Sequence, residues 1–336
     1  MTGRPASHHK PGGGYRNPWP DSQPRGLGGF LRWTGQRLAA RVRGESREGR
    51  RVEFPLSMPS FAPKPGEPDG LRVTWLGHST VVLQLGATTV LLDPAWSERA
   101  SPVSFAGPRR IVPVPIRLER LPPIDVLVHS HDHYDHLDAA TVRALARAHP
   151  GARWVAPLGV GARLTPLGVP QVAELDWWEA TRAGAAEVTC TPAQHFSGRG
   201  LGDRDRTLWG GFAIAAGGWR VFYAGDSGLH PEFGEIARRL GPFDLAIVPI
   251  GAYEPRWFMR PVHMDPDDAV TAAIALDAPV TVGVHWGTFR LTDEPLDEPP
   301  TRAVQAWAAR GAPGRELWIL RHGETRVVPV RRGAGG

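Results

Sequence analysis

Short apolar runs of strand length dominate the chain after a polar N-terminal stretch. The first three runs lie at residues 72–76, 80–85 and 88–92, and only Gly77 and Gly86-Ala87 separate them. Apolar runs of this length between turn residues are typical of β-strands that are joined by tight turns. The pattern therefore predicts three consecutive antiparallel strands.

The remainder of the chain alternates strand-like runs with segments of helical periodicity. The predicted strands are 124–128, 186–190, 208–215, 219–223, 245–249, 280–284 and 316–320, and the predicted helices are 139–148, 232–240, 267–276 and 301–310. Asp138 supplies an N-cap for the first of these helices, where apolar residues recur at helical spacing. Several strands are therefore expected to end in loops that lead into helices.

The first 69 residues differ in composition and predict an extension of the domain that follows. Residues 1–24 are rich in Gly, Pro, Ser and His, and such a segment buries too little apolar surface to order by itself. Residues 55–68 are proline-rich and predict an extended connection. We expect a partly disordered N-terminal extension at 1–69 and a catalytic domain at 70–330.

Residues 27–43 are distinct within this extension because apolar side chains form an irregular stripe among arginines. The apolar positions are Phe30, Leu31, Trp33, Leu38 and Val42. Two interpretations remain open at the level of sequence. The segment is either a basic amphipathic helix at a membrane interface or a helix that docks on the domain and leaves its basic face in solvent.

The composition favours one folded catalytic domain with its positive charge concentrated at the N-terminus. The 336 residues are 41% hydrophobic and 22% charged, and the formal charge of +5 is carried almost wholly by arginine, since Lys10 and Lys64 are the only lysines. Ten arginines lie among the first 51 residues against three acids, Asp21, Glu45 and Glu48.

The cysteine content and the hydropathy of the chain bear on its location. Cys190 is the only cysteine, which excludes an internal disulfide, and the N-terminus lacks the apolar core of a secretory signal. A cytoplasmic location is expected by default. No apolar run approaches the ~20 residues that cross a bilayer, so we expect any membrane contact to be peripheral, on the inner face.

The densest group of chemically active side chains is His129-Ser-His-Asp-His-Tyr-Asp-His136. It holds four histidines and two aspartates in eight residues, directly after the predicted strand 124–128. Imidazole and carboxylate groups suit zinc and related divalent ions. The alternation His131-x-His133-x-Asp135-His136 can aim several of them at one cavity where the backbone turns out of a strand. We interpret this run as part of a two-metal site.

Further candidate ligands also follow predicted strands. They are Asp93, His195, Asp226 and His285, and His263 closes a long aromatic loop before the helix at 267–276. A single histidine more often has a structural role, but the repeated placement at strand ends favours ligation. Asp93 precedes a proline and is equally typical of an ordinary turn. His78, at a tight turn, is similarly ambiguous.

These groups resemble the metallo-β-lactamase superfamily in composition and order. The resemblance is carried by His131-x-His133-x-Asp135-His136, His195, Asp226 and His285. Within the superfamily, the chain is similar to the phospholipase D family that hydrolyses N-acylphosphatidylethanolamine, through Asn17-Pro-Trp-Pro20, Pro192-Ala-Gln-His195, Phe243-Asp-Leu-Ala246, the run 249–259 and His285-Trp-Gly-Thr-Phe289. The resemblance covers residues from about 17 to 328.

This resemblance implies an α+β fold, the four-layer αββα metallo-β-lactamase sandwich, with two zinc ions. His131, His133 and His195 would hold one ion, Asp135, His136 and His285 the other, and Asp226 would bridge them. The implied catalytic residues are Asp135 and Asp226, Asp93 as partner of a histidine ligand, and His263 as a contact for phosphate or the leaving group.

The chemistry of such a site follows from general principles. Two metal ions about 3.5–4 Å apart lower the pKa of a shared water, produce a bridging hydroxide near neutral pH and neutralise charge on phosphate oxygens. On the substrate that the resemblance implies, attack at phosphorus would release N-acylethanolamine and leave phosphatidate. We therefore expect a phospholipid substrate and no nucleic-acid partner, and leave a homodimer open.

Other functions compete with this prediction. A lactonase or another small-substrate hydrolase of the same fold is the nearest alternative, because Phe196-Ser-Gly-Arg-Gly200 departs from the family pattern. A nuclease is disfavoured because the stretch between Asp226 and His285 leaves little room for an inserted domain. A non-catalytic zinc-binding or membrane protein is disfavoured by the complete ligand set.

Two further motifs receive a limited interpretation. Leu320-Arg-His-Gly-Glu-Thr325 resembles the motif of histidine phosphatases, but its position near the end of the chain predicts that His322 is a strand-end residue. The pairs Trp177-Trp178 and Trp257-Phe258 are candidates for lining an acyl-chain groove.

Overall fold

The computed structural model describes residues 7–44, 52–61, 70–200, 202–310 and 313–328. The strands are β1 Leu71–Gly77, β2 Thr80–Leu85, β3 Thr88–Leu92, β4 Val126–Val128, β5 Arg153–Pro157, β6 Val172–Leu175, β7 Ala180–Ala183, β8 Ala186–Thr191, β9 Gly211–Ala216, β10 Trp219–Tyr223, β11 Leu245–Pro249, β12 Val280–Val284, β13 Glu316–Trp318 and β14 Thr325–Val328. The helices are α1 Leu27–Val42, α2 Ala139–Ala148, α3 Gly161–Leu164, α4 Phe233–Leu240, α5 Arg256–Met259, α6 Pro266–Leu276 and α7 Glu298–Arg310.

Two seven-stranded sheets contain these strands, and each sheet repeats the same pattern. The first has the order β14-β1-β2-β3-β4-β5-β6, antiparallel as far as β3 and parallel beyond it. The second has the order β13-β12-β11-β10-β9-β8-β7, parallel as far as β10 and antiparallel beyond it. Because β8 and β10 are both antiparallel to β9, they run in the same direction and end at the same edge.

The alternation of side chains along each strand forms the layers. In β2, Val81 and Leu83 face the core between the sheets, whereas Val82 faces the outer layer that contains Val142 and Leu145 of α2. Burial of a side chain of this size stabilises the fold by about 1.5–3 kcal/mol. Helix α6 packs on β11 of the second sheet, and α4 and α7 pack against α6. The predicted αββα sandwich is therefore confirmed.

Most predicted elements agree with the structure, and the differences have local causes. The strands 80–85, 88–92, 219–223, 245–249 and 280–284 and the helix 139–148 have the predicted bounds. The strand predicted at 208–215 begins only at 211, because the N–H groups of Leu208 and Gly210 bond to Leu158 and Ser130 in the opposite sheet's loops. The strand predicted at 124–128 begins at 126, the one predicted at 316–320 ends at 318, and the helix predicted at 301 begins at 298.

Residues 7–24 lie against the catalytic domain, although their composition suggested a tail. The Nζ atom of Lys10 lies 2.8 Å from the carboxylate of Asp205. The buried side chain of Asn17 donates to the carbonyl oxygen of His195 at 2.9 Å and accepts from its N–H at 3.2 Å. The segment is ordered by partners that the domain supplies. Residues 1–6, 45–51, 62–69 and 329–336 lie outside the described residues, and they include residues 69 and 330, the predicted ends of the extension and of the catalytic domain.

Helix α1 docks on α5 by one face and leaves its other face in solvent. Trp33 stacks on Phe258 with ring centroids 5.2 Å apart, and its Nε1 donates to Asp293 at 2.6 Å. The outer face carries exposed apolar side chains, namely Leu27, Leu31, Leu38 and Val42. Docking, the second of the two interpretations, is thus observed. No helix in the described part of the chain has both the length and the hydropathy that a bilayer crossing requires.

Candidate metal centre

The predicted ligands meet at one edge of the sandwich, where strands of both sheets end. From the first sheet come His78 in the turn between β1 and β2, Asp93 after β3, and His131, His133, Asp135 and His136 after β4. From the second sheet come His195 after β8, Asp226 after β10, His263 before α6 and His285 after β12. Their ligand atoms form overlapping groups in which all atoms lie within 4.8 Å of one another.

The first group consists of His131, His133 and His195. The Nδ1 atom of His133 lies 2.8 Å from Nε2 of His131 and 3.2 Å from Nε2 of His195. The Nδ1–H of His195 donates to the carbonyl of Val262 at 2.9 Å, which leaves a lone pair on its Nε2. The Nδ1 of His131 lies 2.9 Å from the hydroxyl of Ser130. Three imidazole nitrogens therefore converge, and the lone pair on Nε2 of His195 faces Nδ1 of His133.

The second group consists of Asp135, His136 and His285, together with His78. The Oδ2 atom of Asp135 lies 3.6 Å from Nε2 of His136 and 3.7 Å from Nε2 of His285. His78 contacts the same oxygen through its Nε2 at 2.9 Å. The ring of His78 also lies 4.0 Å from that of His285. In this group the imidazoles of His136 and His285 face the carboxylate of Asp135, and His78 lies within hydrogen-bond distance of the same carboxylate.

Asp226 lies between the two groups. Its Oδ2 is 3.1 Å from Nε2 of both His136 and His285. The same oxygen is 3.8 Å from Nε2 of His195 and 4.0 Å from Nε2 of His131. The backbone approaches closely here, because a Cβ on Gly225 would lie only 2.8 Å from the carbonyl oxygen of Gly210. The carboxylate of Asp226 therefore lies within 4.0 Å of histidines from both groups.

Asp93 lies behind the ligands and does not line the cavity in front of them. It is fully buried and accepts hydrogen bonds from the Nδ1 of His136 at 2.7 Å and the hydroxyl of Tyr223 at 2.5 Å. The N–H and hydroxyl of Ser130 donate to it at 2.7 and 2.5 Å. These contacts make Nδ1 of His136 a donor and orient its Nε2 towards Asp226. Asp93 is thus a positioning residue, not a catalytic one.

Two members of the histidine-rich run, His129 and Asp132, make contacts away from the centre. The ring of His129 stacks against Trp154, and its Nδ1 lies 3.2 Å from the carbonyl oxygen of His136. The carboxylate of Asp132 accepts from the N–H of Gly198 at 2.8 Å. Both side chains support the loop that carries the ligands.

Burial and charge divide the histidines into two electrostatic classes. Burial lowers the pKa of His195 to about 3 and that of His133 to about 4, and it holds the pKa of His131 well below its usual range. These three rings are therefore neutral at pH 7. Neutral imidazole is the form that binds a metal ion.

His136 and His285 behave in the opposite way because carboxylates surround them. Burial lowers the pKa of His285, but the carboxylates of Asp226 and Asp135 outweigh burial and raise this pKa to about 9. The same balance, with Asp93 added, raises the pKa of His136 well above its usual range. Without a cation, protons on these two rings neutralise the acids.

The donor set fits divalent metal ions. The Oδ1 atom of Asp226 is buried and has no hydrogen-bond partner among the described residues, while the Nε2 atoms of His136 and His285 face its Oδ2 at 3.1 Å. Leaving buried polar atoms unpaired costs free energy, and a bound cation removes that cost by accepting their lone pairs. Imidazole nitrogen and carboxylate oxygen are the donors that zinc and similar first-row ions prefer.

His263 lies at the border between the metal centre and the cavity. Its ring centroid is 5.0 Å from that of His195, and its side chain lines the cavity with His133 and Asp226. Burial lowers its pKa to about 3. At neutral pH it is therefore an uncharged imidazole that faces the space in which a substrate would lie.

A cavity of about 640 Å³ opens from the centre towards α1 and α5. Apolar side chains form much of its lining, namely Leu27, Phe30, Trp33, Phe196, Phe258, Met259 and Val262, and Arg25 and Arg204 also line it. Of the aromatic pairs predicted to line a groove, only Phe258 lines this cavity. Trp177 is buried in the core, and Trp178 lies beneath the guanidinium of Arg239.

A family model described as "Beta-lactamase superfamily domain" matches residues 88–286, which include the ligands from both sheets. The chain belongs to the metallo-β-lactamase superfamily. It is 42% identical over 252 residues to "N-acyl-phosphatidylethanolamine-hydrolyzing phospholipase D 1" of Caenorhabditis elegans, covering 72% of this chain and 71% of the relative. It is 44% identical over 258 residues to an uncharacterized protein of Mycobacterium tuberculosis, covering 75% of this chain and 68% of the relative.

The solved structures support the same fold. Igni18, described as a metallo hydrolase from the archaeon Ignicoccus hospitalis, has a TM-score of 0.57 with 23% identity, and the match covers 78% of this chain and 99% of that one. At this identity the likeness concerns the fold alone. Together with the donor groups, the family match makes this protein a metal-dependent hydrolase of the metallo-β-lactamase fold.

The structure of this hydrolase adds His78 to the residues that sequence analysis assigned. The backbone of His78 has a φ of 53°, in the left-handed region, and its N–H donates to the hydroxyl of Thr288 at 2.6 Å. Asp93 and His285 also have positive φ, at 37° and 63°. Such strained backbone is typical of functional sites. In the sequence, the position of His78 in a tight turn was the only signal.

Proposed function

We propose that this hydrolase is a phospholipase D-type phosphodiesterase that cleaves N-acylphosphatidylethanolamine into N-acylethanolamine and phosphatidate. The observation that carries this proposal is the cavity, because it joins the metal centre directly to an apolar region. A polar reacting group and a long acyl chain can lie in it together. The name of the Caenorhabditis elegans relative supports the same substrate class.

The apolar part of the cavity suits a lipid better than a small polar substrate. Phe30 from α1, Phe258 from α5 and Val262 beyond it form its wall, close to His263. A volume of about 640 Å³ lies within the range typical of sites for drug-sized ligands. A single acyl chain near the scissile bond therefore fits this space, while the remaining chains stay outside it.

The metal ions that we propose are two zinc ions. His131, His133 and His195 would hold one ion, and Asp135, His136 and His285 the other, with Asp226 between them. When bound, such a pair acidifies a water and neutralises the charge of a phosphodiester. Burial raises the pKa of Asp135, but the neighbouring His136, His285 and His78 outweigh burial and hold this pKa well below its usual range. Asp135 therefore stays ionised and can also orient the attacking water.

Residues outside the ligand set hold the phosphodiester. Neutral His263 can donate one hydrogen bond to a phosphate oxygen or to the leaving oxygen from its position in the cavity wall. Arg204 stacks over Phe196 with its guanidinium carbon 4.9 Å from the ring centroid, at the border of the cavity. Its charge attracts an anionic substrate towards the centre, and Arg25, which also lines the cavity, has the same effect.

We further propose that α1 contacts the lipid surface from which the substrate is drawn. Leu31 and Leu38 are exposed on the face of α1 that points away from the domain, next to arginines that attract anionic headgroups. Leu27, at the start of the same helix, is exposed and also lines the cavity. Contact of this face with a bilayer would therefore bring the cavity mouth to the membrane surface.

Product analysis on N-acylphosphatidylethanolamine in mixed micelles tests the proposed function. We expect the zinc-loaded wild type to form N-acylethanolamine and phosphatidate in equal amounts, and the variant Asp226→Asn to lose at least about a hundredfold in rate. Asp277→Asn, at the exposed end of α6, is the matched control and retains full activity. Turnover of a lactone panel without turnover of the phospholipid would replace this proposal with the small-substrate hydrolase.

A further inference from the structure

A second group of metal-type side chains lies outside the catalytic centre, where the N-terminal segment meets the second sheet. The Nε2 atom of His8 lies 2.6 Å from Oδ1 of Asp176, and Nε2 of His9 lies 2.7 Å from Oδ2 of the same carboxylate. All three ligand atoms lie within 4.8 Å of one another. None of these residues lines the catalytic cavity.

The position of the two histidines is set by a tight hairpin. His9 and Tyr15 form an antiparallel bridge, and the N–H of Lys10 donates to the carbonyl of Gly14 at 2.9 Å. Gly14 has a φ of 80°, and a Cβ there would lie 2.4 Å from the carbonyl oxygen of Asp205. Only glycine fits this close contact. The hairpin therefore presents His8 and His9 to the domain in a defined place.

The three side chains are also held individually. The ring of His8 is buried and stacks on Trp177 with centroids 4.1 Å apart. Asp176 accepts a hydrogen bond from the N–H of Trp177 at 2.8 Å, which orients its carboxylate towards the histidines. Burial raises the pKa of Asp176, but the hydrogen bonds from His8, from the Trp177 backbone and from His9 outweigh this effect and lower it. The carboxylate is thus ionised at neutral pH.

This arrangement has the chemistry of a metal site. Two imidazoles and one carboxylate are a donor set that suits divalent first-row ions such as zinc, and three protein ligands leave positions for water. The side chains of His9 and Asp176 are 32% and 21% exposed, so an ion can enter from solvent. We propose that His8, His9 and Asp176 bind one divalent transition-metal ion, at a site separate from the catalytic centre.

The proposed site would fasten the N-terminal segment to the loop between β6 and β7. From the hairpin the segment continues to Asn17, whose side chain bonds both backbone groups of the catalytic ligand His195. An ion at the hairpin would therefore hold the segment that supports His195. Each Nε2 must offer a lone pair to the metal, so in a neutral ring the proton that bridges Nε2 and Asp176 would move to Nδ1 by exchange with solvent, and the extra proton of a charged ring would pass to solvent.

The proposed site is tested by measuring the metal content of the protein, which requires no activity assay. Full-length protein is equilibrated with excess Zn²⁺, freed of unbound ion on a desalting column, and analysed for zinc per chain by mass spectrometry. We expect the double variant His8→Gln/His9→Gln to bind one zinc ion fewer than the wild type. The matched control is Lys10→Gln, which removes the neighbouring ion pair with Asp205 but no ligand, and it retains the wild-type zinc content.

Two further experiments, the variant Asp176→Asn and limited proteolysis, distinguish the loss of a metal ligand from a defect in folding. Asp176→Asn keeps the shape of the carboxylate and removes its charge, and we expect it also to bind one ion fewer. Zinc is expected to protect Arg16 from trypsin in the wild type and in Lys10→Gln but not in the double variant. Equal zinc content in the wild type and the double variant overturns the proposal. An equal loss in Lys10→Gln overturns it as well, since loosening of the hairpin alone would then explain the result.

Discussion

The Nε2 atom of His78 lies 2.9 Å from Oδ2 of Asp135, which joins the turn between β1 and β2 to the ligand run after β4. Burial and the neighbouring charge of His285 lower the pKa of His78 to about 3, against the effect of Asp135 itself. His78 is therefore neutral and donates its Nε2–H to the carboxylate. This hydrogen bond leaves the other lone pairs of Asp135 free to bind a metal ion.

Removal of this donor is expected to weaken metal binding. For His78→Ala we predict a loss of about 10- to 100-fold in affinity for the zinc ion that Asp135 would hold, a magnitude typical of residues that orient a ligand. The affinity is measured by competition with a chromophoric chelator. His78→Gln retains an N–H donor and recovers part of the affinity. Equal affinities for wild type and His78→Ala would show that Asp135 does not depend on His78.

Replacement of Asp93 is expected to affect stability and metal binding together. Asp93→Asn cannot accept all the hydrogen bonds from Ser130, His136 and Tyr223, so buried donors lose partners at a cost of about 1–3 kcal/mol each. We predict a lower free energy of unfolding in urea and weaker zinc binding. Tyr223→Phe removes one donor and is expected to lower stability alone. Normal zinc affinity in Asp93→Asn would contradict the orienting role for His136.

Zinc affinity is expected to rise with pH. In the metal-free protein the pKa of His285 is about 9, so below that pH a proton must leave before its Nε2 can bind a metal ion. Each released proton changes the affinity by up to about tenfold per pH unit. Calorimetric titrations between pH 6.5 and 8.5, in buffers of different ionisation enthalpy, measure both quantities. Constant affinity without proton release would mean that the imidazoles are already neutral.

The wall of the cavity is expected to select for long acyl chains. Phe258→Ala removes an aromatic side chain that lines the apolar part and packs on Trp33. We predict that kcat/KM falls by about tenfold for a long-chain substrate, as expected from the loss of buried apolar area, and remains unchanged for a water-soluble short-chain phosphodiester. Val304→Ala, on the exposed face of α7, is the control. A similar fall in kcat/KM for both substrates would indicate that Phe258→Ala lowers the stability of the protein and does not act on binding of the acyl chain.

Local sequence patterns predicted most strands because each strand contains its own signal. The runs 80–85 and 88–92 are apolar and end in turn residues, and the structure gives them the same bounds. The ligand run after β4 was predictable for the same reason, since its spacing is local. The candidates far apart in the sequence were recognised from their positions after predicted strands, and the resemblance to a known family assigned them to two ions.

The remaining features depend on contacts that no local pattern encodes. Strand β14 pairs with β1 across nearly the whole chain, and its short run carried no clear signal. His8 and His9 look like part of a polar tail until Asp176 is placed beside them. The role of His78 likewise appears only once the fold brings Asp135 to it. Such contacts form only when distant parts of the chain come together in the fold, and local sequence patterns do not predict them.

The most direct test of the proposed reaction follows the oxygen of the attacking water. N-acylphosphatidylethanolamine is hydrolysed in H₂¹⁸O by the zinc-loaded enzyme, and the ¹⁸O content of each product is measured by mass spectrometry. Attack at phosphorus predicts one ¹⁸O atom in phosphatidate and none in N-acylethanolamine. Label in a released fatty acid, or in the hydroxyl of N-acylethanolamine, would contradict phospholipase D-type cleavage at this metal centre.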